Sequence, residues 1–77
     1  MTRIAMDILI ALNERHEIQG TEQFAHLLNL GTNKGRLLSE AIMLQRLGMI
    51  DIEFSTGGRG SKTIYRDKGV ITARRKA

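Results

Sequence analysis

Seventy-seven residues without a cysteine have room for one thin-cored domain and no disulfide or thiolate metal staple, so stability must come from apolar packing, with or without a partner subunit. The apolar fraction of 42% is that of a folded chain rather than a disordered one, and no apolar run approaches the ~20 residues that cross a bilayer. The net charge of +4 is unevenly placed, with two basic groups against four acids in residues 1–30 and ten against four in residues 31–77, which points to a polyanionic partner.

Helical periodicity opens the chain. Ile4, Ile8 and Leu12 recur every fourth residue with Ala5 and Leu9 beside them, which makes one apolar stripe. Thr2 is the expected N-cap, and the helix is expected to end near Arg15. Because Met1-Thr2-Arg3 leads into a patterned helix and not a signal core, a cytoplasmic, nucleoid-associated location is expected. The link Glu17-Ile18-Gln19-Gly20 is too short for an independent element, although Ile18 suits a brief extended segment. Thr21 reads as the next N-cap, followed by Glu22 in the first turn and a short helix bearing Phe24, Ala25, Leu27 and Leu28. Residues 29–33 read as a turn in which Thr32 or Asn33 caps the next helix. Leu37, Ala41, Leu44 and Leu47 then define a third amphipathic helix that stops at Gly48.

After Gly48 the period changes to two. Ile50, Ile52 and Phe54 alternate with Asp51, Glu53 and Ser55, the pattern of a half-buried strand. Gly57-Gly58-Arg59-Gly60 interrupts it, and Thr63 to Arg66 resumes the extended pattern, so a hairpin with a cationic, glycine-rich tip is expected. Arg74-Arg75-Lys76 forms a basic tail.

The order helix, short link, helix, turn, helix, hairpin resembles winged helix-turn-helix DNA-binding domains. Leu44-Gln45-Arg46-Leu47-Gly48-Met49-Ile50 is similar to the ending of their recognition helix, and Phe24-Ala25-His26-Leu27-Leu28 is similar to their supporting helix. Gly58-Arg59-Gly60-Ser61-Lys62, followed by Ile64-Tyr65 and Gly69, resembles the wings of small bacterial and archaeal regulators of the MarR and PadR groups. The resemblance spans about residues 2–69. It implies an α+β, mostly α architecture: three helices and a two-stranded β-hairpin wing in residues 1–69, with residues 70–77 as a basic C-terminal tail.

On a helical wheel the side opposite Leu37, Ala41 and Leu44 holds Gly35, Arg36, Ser39, Met43 and Arg46. Such a face suits a major groove, where arginine binds guanine O6 and N7 and serine contacts bases or phosphates. Gly35 costs the helix ~1 kcal/mol relative to alanine, but would let its start approach a phosphate closely. Asn33 and Lys34, at the helix entrance, suit phosphates. By the resemblance, Arg59 and Lys62 at the wing tip reach the minor groove or its phosphates. For both sets the plain alternative is a solvated charged surface. Met6 and Ile10 form a second apolar strip on the first helix, more than a three-helix domain needs, which suggests a homodimer. The alternative is that one of them packs under the C-terminal segment.

His16 and His26 lie on different elements with no evident carboxylate partner, so a surface or capping role is expected in place of a metal site. Neither a catalytic constellation nor a cofactor motif is legible. The expected function is therefore sequence-specific binding of double-stranded DNA by a non-enzymatic dimer, most simply a transcriptional repressor. Two alternatives remain: a DNA-binding adaptor in plasmid or phage replication or partition, and a winged-helix module that binds protein or RNA.

Overall fold

The computed structural model describes residues 1–57 and 60–68, arranged as α1 (Arg3–Arg15), β1 (Glu17–Gln19), α2 (Thr21–Leu27), α3 (Lys34–Arg46), β2 (Ile50–Gly57) and β3 (Gly60–Asp67). Arg59 and the tail at 70–77 lie outside the described residues. The architecture is a small α+β fold of three helices and an antiparallel sheet. No helix among the described residues is long and apolar enough to cross a membrane.

α1 begins as its sequence indicates, with the Thr2 hydroxyl accepting a bond from the Ala5 amide at 3.1 Å. It ends at His16, whose positive φ of 69° is uncommon for a residue with a side chain and turns the chain directly into β1. That short segment is a true strand. Ile18 is buried opposite Tyr65, and bonds of 2.8 Å from Asp67 N to His16 O and from Gly20 N to Thr63 O flank the pairing. The sheet therefore has three strands in the order β1-β3-β2, where the sequence pattern led to two. A three-residue strand has too little local signal; its partner lies 45 or more residues onward, and pairing supplies what propensity cannot.

One capping expectation is corrected, and a second holds in position without its side-chain bond. Gly20, at φ 89°, is the N-cap of α2, and the Thr21 hydroxyl instead lies 2.7 Å from the Tyr65 phenol oxygen. Asn33 occupies the N-cap of α3 without any side-chain bond to the helix, and the chain reaches it through Asn29 and Gly31, both at positive φ. The other end of α3 follows the glycine signal: Gly48, at φ 78°, donates to Gln45 O at 2.9 Å, and Met49 donates to Leu44 O at 3.0 Å. Leu47 falls past the last helical turn and is 63% exposed, so it is no part of the core. Leu27, on α2, is likewise exposed.

The core is shared by all layers. Ala5, Ile8 and Leu12 of α1 meet Phe24 and Ala25 of α2, Leu37, Ala41 and Leu44 of α3, and Ile18, Ile50, Ile52 and Tyr65 from the sheet. Phe54 has the inward parity of Ile50 and Ile52 yet is 59% exposed, because β2 outruns the helical layer. Pairing of β2 with β3 continues to Gly57 opposite Gly60, so Lys62 is a strand residue paired with Ser55 and not part of a loop.

Tyr65 is fully buried on the central strand, and its ring meets Phe24 edge-on at a centroid distance of 4.9 Å. Burial pushes its phenol above the ordinary tyrosine value, and the bond to Thr21 opposes that shift. Replacing Tyr65 by Phe keeps the packing and removes one buried hydrogen bond, at a cost of ~1 kcal/mol. Phe24→Ala removes the ring and leaves a cavity, at ~3–5 kcal/mol, comparable with the whole stability of a small domain. Urea unfolding monitored by circular dichroism is expected to rank the two variants in that order; equal losses would mean that the ring contact is no more important than the hydrogen bond.

Candidate nucleic-acid interface

α3 is held on its inner side by Leu37, Ala41 and Leu44, all fully buried, which fixes what its outer side presents. Along that side runs an open groove of about 520 Å³ lined by Gly35, Leu38, Ser39, Ile42, Met43 and Arg46. Four of the residues picked from the sequence (Gly35, Ser39, Met43 and Arg46) are thus brought together. Arg46 has no acidic partner among the described residues, and no acid lines the groove. Leu38 and Ile42 are the residues the wheel reading omits. They sit at the edge of the buried stripe, half-buried, packing on the core while also walling the groove. Their spacing of four was the available signal.

Arg36 does not join this set. Its Nε donates to Glu40 Oε2 at 3.2 Å, along the flank of α3. Glu40 is nearly buried, and its other oxygen accepts a bond from the Thr2 hydroxyl at 2.7 Å. Thr2 thereby serves two partners, accepting from the Ala5 amide and donating to Glu40, and so ties the start of α1 to the middle of α3. The Thr2 hydroxyl and then the Arg36 guanidinium hold the Glu40 carboxyl below the ordinary carboxylate value, outweighing the opposite effect of burial. Arg36 is thus paired along α3 with a carboxylate that is itself bonded to Thr2, 38 residues from Glu40 in sequence.

The other cations are placed separately. Asn33 and Lys34 stand exposed at the head of α3, and Lys34 Nζ lies 3.8 Å from Glu22. Lys62 is on the outer face of the sheet, 3.5 Å from Gln19 Oε1, and borders a second concavity of about 720 Å³ with Gly20, Glu22, Gln23 and His26. Arg66 bridges Glu53 at 2.6 Å and Glu17 at 2.8 Å across all three strands. Those two carboxylates raise its already high pKa, Glu53 first; the Glu17 carboxyl is lowered, by the Gln19 amide and then by Arg66. This cation is committed to the sheet.

His16 does have a carboxylate near it, contrary to the expectation from its sequence position: its Nδ1 is 3.6 Å from Asp67 Oδ2, at the joint between α1 and β3. Among the described residues no group of three His, Cys, Asp or Glu side chains is placed to hold a metal ion. Met6 and Ile10 stand 48% and 53% exposed on α1.

No protein-family model, curated protein or solved structure matches the chain.

Because the folded state lowers the Glu40 pKa, the carboxylate stabilises the fold above its unfolded value near 4.5, and that contribution is lost as pH falls through the lower folded value. Glu40→Gln is therefore expected to lower the thermal midpoint at neutral pH. The gap to the parent should close well below pH 4.5. A gap that persists unchanged in acid would show that shape, not charge, matters at this position.

Proposed function

We propose that the chain is a winged helix-turn-helix protein that binds duplex DNA as a dimer and acts, most simply, as a transcriptional repressor by occupying its site. α2 is the supporting helix, α3 enters the major groove, and the β2–β3 pair is the wing. The observation that carries this reading is the outer face of α3. Among the described residues Arg46 stands there without an acidic partner, in a groove that no acid lines.

Gly35 adds support. A Cβ at this position would meet nothing within 4 Å, so packing within the chain does not call for glycine there. Its absence of a side chain costs helix stability, and it is explained by close approach of another molecule to the first turn. Met6 and Ile10 supply an apolar strip for a second copy, and two-fold symmetry matches a palindromic site. A second reading, the adaptor that recruits another protein while bound to DNA, is favoured by the exposed Leu47 and Phe54.

Binding to a mixed duplex pool tests the main reading. If about four to six phosphates are neutralised per protomer, or about eight to twelve per dimer, each fourfold rise in salt should weaken binding of the dimer roughly 10⁴–10⁶-fold. Arg46→Ala should lose about tenfold or more in duplex affinity. Arg36→Ala should lower the unfolding midpoint and leave affinity within about threefold. Gly35→Ala should gain up to ~1 kcal/mol in stability while losing affinity. Salt-independent binding, or no preference for duplex, would exclude the proposal.

Ile10→Glu is expected to weaken self-association by about tenfold or more in sedimentation experiments, at unchanged helix content. An unaltered sedimentation profile would place the dimer contact elsewhere.

A further inference from the structure

We propose that α3 recognises thymine by its 5-methyl group, through Leu38, Ile42 and Met43; this inference rests on the duplex-binding reading above and names the base it selects. Three observations carry it. The groove on α3 has an apolar wall made by these three side chains, and among the described residues Ser39 and Arg46 are its only hydrogen-bonding side chains. No Asn or Gln lines it, so the bidentate carboxamide contact that reads adenine is not available there. Arg36, which would have given the face a second guanidinium, is turned to Glu40.

In the major groove thymine alone presents a methyl group, and apolar side chains read it by contact. From Gly35 to Arg46 the helix advances ~16 Å at 1.5 Å per residue. At 3.4 Å per base pair this covers about five pairs. The apolar wall thus faces the middle of such a half-site, with Gly35 at one end and Arg46 at the other. Charge decides in favour of a polyanion over an apolar protein segment. Among the described residues the groove holds one cation and no acid. A protein partner covering the groove would have to bring its own carboxylate to bury Arg46.

The test uses the full chain. Bound sites are selected from random duplexes, and each thymine of the selected site is replaced in turn by deoxyuridine. That base keeps every hydrogen-bonding group of thymine and lacks only the methyl. One or two positions per half-site should lose about fourfold in affinity, the factor for one buried methyl group. At one of those positions the loss should shrink in Ile42→Ala or Met43→Ala. Ile42 also packs on the core, so Met43→Ala, at an exposed side chain, decides the result if Ile42→Ala fails to fold.

Selected sites without thymine, affinity unchanged by uracil at every position, or a full uracil penalty in both variants would overturn the inference and leave duplex binding standing. Absence of duplex binding altogether, including retention of a protein in place of DNA, would overturn both.

Discussion

Tyr65 sits on the middle strand with Ile18 on one side and Ile52 on the other, and every layer of the protein touches this arrangement. Its ring packs edge-on against Phe24 of α2, while its hydroxyl reaches Thr21 at the start of the same helix. A sheet of two eight-residue strands and one of three has little stability without a layer on its inner face, and a seven-residue helix has even less. Each becomes stable by packing on the other, and Tyr65 is where they join. The same contact sets the position of α2, and with it the turn that delivers the chain to α3.

The features that the sequence made legible are those decided locally. The two long helices show their four-residue periodicity, Thr2 caps α1 by accepting from an amide three residues on, and Gly48 ends α3 through its backbone freedom. The features it concealed depend on distant partners. β1 is a strand because β3 pairs with it, and Thr21 is not a cap because Tyr65 takes its hydroxyl. The candidate site divides along the same line. Gly35, Ser39, Met43 and Arg46 share a groove, as their wheel angles require, whereas the direction of Arg36 is set by Glu40, itself oriented by Thr2. The spacing of Arg36 and Glu40 permits a pair on any helix, whereas the bond from Thr2 to the other oxygen of Glu40 is tertiary and has no local signal.

Charge counting is similarly local in its limits. The basic half of the chain suggested a surplus available to a polyanion, but Arg66 is engaged by two carboxylates, Arg36 by one, and Lys34 lies near Glu22. Within a Debye length of roughly 8 Å these pairs cancel much of the field that their cations would project. A count of basic residues therefore overstates what the described surface offers a phosphate chain. Placement matters more than number: Arg46 stands at the end of a groove that, among the described residues, no acid lines.

Leu38 and Ile42 connect stability to recognition in one helix. Each packs inward against the core and also walls the outer groove, so neither can be made polar without loosening α3. α3 is fixed by Leu37, Ala41 and Leu44 beneath it and by the Thr2–Glu40–Arg36 chain along its flank. Those constraints leave one face unoccupied, and that face is partly apolar because its borders belong to the core. The selectivity proposed for it comes from this economy: a helix that must keep leucine and isoleucine at its edges reads most readily the one base that offers a methyl group.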